Sequence, residues 1–425
     1  MSAGTPLDAL AARTLGLAEG FDRADLARGQ GARLRETFLW ARARSRFYRA
    51  RLAGCAPPRS IEDLAALPFT TAADLAADPL ALVCVPQDEI DRVVTLETSG
   101  TSGRPKRLFF TAADQEITLA FFRCGLSQMV ARGRNVLALL PQGRPGGLGD
   151  LLGRALRALG ARVRFAEASP DDDAFRRSPP DLVVGAPVAV LDLARRTCGC
   201  TVRAVLLCSD RPPEGAARRL AAAWGCETFE DWGMTEMGYG GGVDCRAHDG
   251  RHLQEGDFLF EIVDPATGRA VPDGAFGEVI LTTLTRRGMP LIRYRTGDVS
   301  RFLPGRCACG SPLRRLDRIA MRSDGRVGPH GGVTLGEIDD ALFGVAGVID
   351  VRGGFRAGTP ERLRLEVVAP GAAADLETRL TAALDGVASL RAARAEGALA
   401  LELAVVGGAS APARGKRCLH VDASA

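Results

Sequence analysis

Between Arg92 and Ser209, short apolar runs alternate with stretches of helical periodicity, and this alternation constrains the fold more than any other feature of the chain. RVVTLET, NVLALLP, ARVRFAE, DLVVGA and AVLLCS are brief and apolar, with β-branched residues in most of them, as in buried strands. GDLLGRALRALG and EGAARRLAAAWG instead repeat their apolar residues at three-to-four spacing, as amphipathic helices do. Strand and helix in alternation predict a largely parallel sheet covered on both faces. The first 50 residues read as helix, with leucines and phenylalanines at the same spacing.

From Phe258 the pattern changes to extended segments joined by turns, FLFEIVDPATGRAVPDGAFGEVILTTL, which predicts a β-rich, more antiparallel subdomain. Past Ser323 comes a small α+β unit: amphipathic TLGEIDDALFGV, strand-like RLRLEVVAP, helical ADLETRLTAALDGV and strand-like ALALELAVV. The polar SDG between Arg322 and Arg326 is turn chemistry and marks a boundary. The expected architecture is α/β. A large multi-layer N-terminal body, residues 1–321, holds mostly parallel sheets and the β-rich subdomain; a small α+β C-terminal domain occupies 322–425.

A chain of 425 residues exceeds one ordinary core, so more than one domain is expected. Hydrophobic content of 46% with 25% charge is that of a soluble globular protein. Runs such as LVVGAPVAVLDLA fall short of the ~20 residues that span a bilayer. MSAGTPLDAL has no basic start followed by an apolar core, so no signal peptide is expected and the location is read as cytoplasmic. The net charge is +4, but the arginines are scattered among acids and aromatics make up only 5%, which argues against a nucleic-acid surface. Eleven cysteines without an export signal should be reduced thiols or metal ligands.

Lysine is almost absent. Of 55 basic Lys and Arg residues only Lys106 and Lys416 are lysines, leaving 55 − 2 = 53 arginines. Lys106 closes the stretch TLETSGTSGRPK, where Thr98, Ser99, Gly100, Thr101, Ser102 and Gly103 supply inward-turning N–H groups and hydroxyls, and the lysine adds a charge: the makings of an anion cradle. It is not a Walker motif, because G-x-x-x-x-G-K-[ST] is absent. By composition alone the stretch would be an ordinary polar turn.

This stretch resembles the phosphate-binding loop of the acyl-adenylate-forming superfamily. Upstream, SRFYRARLAG and SIEDLAALPFTTAADL resemble the opening segment of its phenylacetate–CoA ligase-like members, and the resemblance runs from about Phe47 to the last residues. It implies ATP-dependent activation of a carboxylic acid, of phenylacetate type, to acyl-AMP and transfer to coenzyme A. Delivery to a carrier protein, a protein thiol or an amine is the alternative acceptor chemistry, and an ATP-binding module without turnover is a further alternative. A homodimer is common among the enzymes it resembles.

The resemblance also implies roles residue by residue. In TFEDWGMTEMGYGG, Trp232 lies against adenine, Thr235 contacts phosphate and Glu236 helps hold Mg²⁺, with Asp231, Gly233 and Met234 in the same nucleotide loop. In YRTGD, Asp298 accepts from the ribose hydroxyls. Arg322 keeps the family's arginine place and Asp324 the hinge place, although Met321 and Gly325 replace a glycine and an acid of the usual pattern. Gly415 and Lys416 match the Gly-Lys that ends the family's mobile lid, whose lysine bridges substrate carboxylate and α-phosphate. A compact ammonium fits between two anions where a planar guanidinium would need another geometry. VLLCSDRPPE resembles the strand end lining the acyl pocket, with Ser209 and Asp210 in place of a small residue and glutamate.

Two further clusters have metal-ligand chemistry. Cys245, His248 and His252 lie in VDCRAHDGRHL, Cys307 and Cys309 in PGRCACG. A closed set of four Cys/His ligands marks structural zinc, and Cys245, His252, Cys307 and Cys309 are the expected set, with His248 competing for the histidine place. Unpaired thiols in turns are the plainer alternative. Cys198 and Cys200, with no partner nearby in sequence, read as ordinary thiols.

Overall fold

A computed structural model describes residues 4–96, 105–166, 170–322, 325–329, 331–371, 374–407, 417 and 419–422. Thr98, Ser99, Gly100, Thr101, Ser102, Gly103, Asp324, Gly415 and Lys416 lie outside the described residues. The chain divides into two compact units. One comprises residues 1–133, 142–161 and 231–318; the other comprises 134–141, 162–230 and 319–425.

The second unit contains the expected parallel sheet. Arg162–Phe165, Asn135–Leu139, Leu182–Gly185, Ala204–Leu207 and Glu227–Trp232 pair in that order, each parallel to the next. Every residue of Leu182–Gly185 and Ala204–Leu207 is buried, as expected for strands with helices on both faces. Pro187–Arg196 and Ala216–Trp224 are among the covering helices. Phe175 stacks on Trp224 with ring centroids 5.5 Å apart, and burying each such side chain contributes about 1.5–3 kcal/mol.

The C-terminal part of this unit forms a four-stranded sheet, in the order Leu399–Val406, Glu361–Val368, Asp350–Arg356 and Leu419–Asp422. The middle two strands are antiparallel and the outer two each run parallel to a neighbour. Helix Leu335–Leu342 begins with a capping box between Thr334 and Glu337. Its Ile338 and Leu342 join one apolar cluster with Val205, Leu207 and Leu220 of the parallel-sheet segment.

In the first unit, the expected N-terminal helix is interrupted. Arg23–Arg44 ends at Ser45, whose hydroxyl donates to the Ala81 carbonyl and accepts from Tyr48 N, starting a new helix Arg46–Arg51. Phe258–Val263, Gly277–Thr283 and Tyr294–Ser300 form the expected antiparallel sheet. A second antiparallel set joins Asp231–Trp232, Gly242–Asp244, Arg251–Leu253 and Arg315–Leu316.

One strand differs from the sequence expectation. RVVTLET does form a strand, Ile90–Leu96, but it pairs antiparallel with Lys106–Thr111 in a separate two-stranded sheet. The linker of residues 97–105 is shorter than the dozen or more residues a parallel crossover needs. Burial alternates along Ile90–Leu96, which marks a half-covered ribbon and not a central strand. No helix among the described residues is long and apolar enough to cross a membrane.

Candidate active site

Lys106 opens strand Lys106–Thr111, and its ammonium meets Glu236 Oε1 at 2.7 Å. The pair joins two motifs separated by 130 residues. Glu236 sits in a single 3-10 turn, Thr235–Met237, that follows strand Glu227–Trp232. The Tyr294 hydroxyl donates to the same Oε1 at 3.0 Å. Glu236 is 5% exposed, so an unpaired charge there would be expensive. Burial pushes its carboxyl up, but the Lys106 charge, with hydrogen bonds from Lys106 and Tyr294, overcomes this and holds it below its ordinary value. Glu236 is therefore an ionised carboxylate, the donor a hard divalent cation prefers.

The turn carrying Glu236 is tightly wound. Tyr239 N donates to Met234 O at 2.9 Å and Gly241 N to Trp232 O at 3.0 Å. A Cβ on Gly233 would stand 2.1 Å from the Tyr239 carbonyl, so only glycine fits there. Tyr239 itself has φ of 77°, a left-handed conformation that costs a tyrosine about 1–3 kcal/mol. Trp232, at the start of this turn, is buried, and its indole Nε1 donates to Asp298 Oδ2 at 3.0 Å. Asp298 follows Gly297 (φ 76°) in strand Tyr294–Ser300. The unit thus gathers Lys106, Asp231, Trp232, Gly233, Met234, Thr235, Glu236 and Asp298. Arg322, exposed, ends the short strand Met321–Arg322 in the other unit.

Strand Tyr294–Ser300 is held from the N-terminal segment. Thr70 Oγ1 donates to Ile292 O at 2.7 Å, Ile292 N donates to the Tyr48 hydroxyl at 2.8 Å, and Arg295 N bonds Thr70 O. Arg293 pairs with Glu261 at 2.8 Å and lies 4.1 Å above the Phe69 ring. Tyr294 is a site residue that motif matching alone does not single out. A signal existed: the chain has only three tyrosines, and one falls inside YRTGD.

In the same unit, Cys245, His252, Cys307 and Cys309 bring all their ligand atoms within 4.8 Å of one another. Cys245 Sγ lies 3.6 Å from Cys307 Sγ and Cys309 Sγ 3.2 Å from His252 Nε2. A disulfide needs ~2.05 Å, whereas sulfurs on tetrahedral zinc stand about 3.8 Å apart. Three thiols and an imidazole in a closed set suit zinc. Burial pushes the Cys245 thiol up to about 12, so a cation is what would make it a thiolate. His252 enters the set because strand Arg251–Leu253 pairs with Arg315–Leu316, a few residues beyond the Cys-x-Cys. His248 stays outside, in a left-handed turn (φ 49°) with Nδ1 3.8 Å from Asp244. Cys198 is exposed and Cys200 half-buried, and neither joins a metal-ligand group among the described residues.

Residues 54–284, more than half of the chain, match the family described as AMP-binding enzyme. The chain belongs to the AMP-binding enzyme family. Among AMP-binding relatives, it is 31% identical over 303 residues to the phenylacetate–coenzyme A ligase of Pseudomonas putida, covering 65% of this chain and 66% of that one, just under two thirds. It is 30% identical over 316 residues to the phenylacetate–coenzyme A ligase of Thermus thermophilus, covering 69% and 70%. A crystal structure of 2-hydroxyisobutyryl-CoA ligase in the postadenylation state, in complex with R3-HIB-AMP, shares the fold. Its TM-score is 0.77, with 95% of this chain and 90% of that chain covered at 24% identity.

The buried ion pair gives a pH prediction. A carboxylate whose folded pKa lies below its unfolded value lends stability above the unfolded pKa and loses it as pH falls through the folded one. Glu236→Gln is expected to cost about 1–3 kcal/mol at pH 7. Urea denaturation should show this gap closing as pH drops below the ordinary value of 4.5. A gap that stays constant under acid contradicts the pairing.

Proposed function

We propose that this AMP-binding enzyme uses ATP to activate a carboxylic acid and passes the acyl group to coenzyme A. The acid is an aromatic one of phenylacetate type. In the first step a carboxylate oxygen attacks the α-phosphorus, the bond to the β-phosphate breaks, and pyrophosphate leaves. In the second the coenzyme A thiol, losing its proton, attacks the acyl carbon and AMP leaves. The observation that carries this reading is the Lys106–Glu236 ion pair, which ties the start of strand Lys106–Thr111 to the acidic turn at 2.7 Å. The resemblance to the phenylacetate–coenzyme A ligases supports the choice of acid and acceptor. The reading implies a cytoplasmic enzyme, with a homodimer as its assembly.

Such transfer is carried by positioning and charge neutralisation. Lys106, with Thr98 to Gly103, neutralises the β- and γ-phosphates, and Thr235 adds a hydroxyl contact. Lys106 and Tyr294 keep Glu236 ionised and fixed. Mg²⁺ bound at Glu236 would neutralise phosphate oxygens as charge shifts toward pyrophosphate. Trp232, anchored through its indole N–H on Asp298, offers its ring face to adenine, while Asp298 takes the ribose hydroxyls. Arg322 adds a nucleotide contact. Lys416, on a C-terminal segment (322–425) that acts as a lid pivoting at Asp324, bridges the acid's carboxylate and the α-phosphate.

Cys245, His252, Cys307 and Cys309 hold a structural zinc in this reading, with no open position for chemistry. Elemental analysis of the purified protein is expected to give about one equivalent, and Cys307→Ser to lose it together with stability. Less than about a third of an equivalent contradicts the assignment.

Pyrophosphate release measured over a panel of aromatic and aliphatic acids tests the activity. The expected result is release with an aromatic acid, and thioester formation once coenzyme A is added. Release with trapping by hydroxylamine but not by coenzyme A would move the acceptor to an amine or carrier thiol. No release with any acid overturns the proposal.

A further inference from the structure

Arg286, in the loop after strand Gly277–Thr283, is 3% exposed and has no part in the reaction described above. Its Nη2 donates to the carbonyl of Met237, the residue after Glu236, and lies 3.5 Å from the Thr118 hydroxyl. Its Nε and Nη1 find no hydrogen-bond partner among the described residues. The guanidinium carbon lies 5.4 Å from the centre of the Phe110 ring and 5.8 Å from that of Phe258, near enough for both rings to attract the charge. Burial pulls the pKa of Arg286 down, and the charges of Asp114 and Asp257 act against this.

Both of these acids are engaged with the loop that presents the arginine. Asp114 accepts from Arg287 N at 3.0 Å and from Gly288 N at 3.1 Å. Asp257 accepts from the Thr285 hydroxyl at 2.7 Å, and its carbonyl takes Leu284 N at 2.8 Å. The loop is thus pinned on each side of Arg286, and the side chain is directed at the Glu236 turn. Gly238 closes that turn with a φ of 69°, its N–H donating to Thr235 O at 2.9 Å. A Cβ on Gly238 would stand 2.6 Å from Nη2 and 2.8 Å from Nη1, so the guanidinium occupies the space that a side chain would need.

A buried guanidinium with idle N–H groups costs stability that an apolar chain of similar length would not. Its contribution lies in what it holds. A charged donor on the Met237 carbonyl makes a stronger bond than a neutral one, and that carbonyl is one residue from Glu236. Lys106 and Tyr294 hold the carboxylate at its oxygen; Arg286 holds the backbone that carries it.

Resting on the reading proposed above, we infer that Arg286 is a positioning residue for Glu236. By gripping the Met237 carbonyl it fixes where the carboxylate meets Mg²⁺ and the nucleotide.

The test compares two substitutions of similar length in the full-length protein. Arg286→Met fills the space and donates nothing, whereas Arg286→Lys keeps one charged donor for the Met237 carbonyl. Amide exchange in the free protein reads the turn. Arg286→Met should lose about tenfold of the protection at Gly238, Tyr239 and Gly241, and Arg286→Lys should lose less than about threefold. Acid-dependent pyrophosphate exchange reads the carboxylate. The half-saturating Mg²⁺ concentration should rise about tenfold in Arg286→Met, with the rate recovering at saturating Mg²⁺, and less than about threefold in Arg286→Lys. A packing role alone predicts that methionine serves as well as lysine. Equal behaviour of the two variants in either assay, or a loss of rate that Mg²⁺ does not restore, overturns the inference. Should Arg286→Met not fold, Arg286→Gln, too short to reach that carbonyl, takes its place in the comparison. A wild-type chain with no exchange on any acid refutes the proposed activity, while the amide protection still judges the arginine.

Discussion

A buried carboxylate cannot stay charged without a partner, and at Glu236 that partner is an ammonium 2.7 Å away. Much of the site is arranged around this constraint. The strand that begins at Lys106 must lie beside the turn that carries Glu236. The turn must be tight enough to aim the carboxylate, which leaves no room for a Cβ at Gly233. Tyr294 must supply its hydroxyl from a third element. That strand is in turn gripped by Thr70 and Tyr48, so the N-terminal helices serve the site through a chain of buried hydrogen bonds. Trp232 and Asp298, the start of the turn and the middle of the strand, close the arrangement with a bond of their own.

Much of this was legible in the sequence. Alternating runs led to the parallel sheet, because strands buried on both faces must be short, apolar and β-branched. The metal-ligand cluster was legible because its residue types are scarce and chemically distinctive: the chain has only four histidines. Choosing His252 over His248 was not a matter of spacing. It depends on the pairing of Arg251–Leu253 with Arg315–Leu316, which linear order does not display.

What stayed hidden was relational. Tyr294 and Arg286 look like ordinary members of their segments until their partners, 58 and 49 residues away, come into contact. RVVTLET has the composition of a parallel-sheet strand, yet the short linker to Lys106–Thr111 permits only a hairpin. The break at Ser45 was masked by helical periodicity on both sides of it, and it is set by a hydroxyl reaching the Ala81 carbonyl. Local pattern fixes what an element is more readily than which element it meets.

In a chain with 53 arginines (55 − 2), two surviving lysines point to sites where the shape of the cation matters as much as its charge. The most direct measurement is acid-dependent pyrophosphate exchange by Lys416→Arg, which keeps the charge and changes only its geometry. The account predicts a fall of about 10²-fold or more, as for loss of a transition-state charge contact. Exchange at the wild-type rate would contradict it.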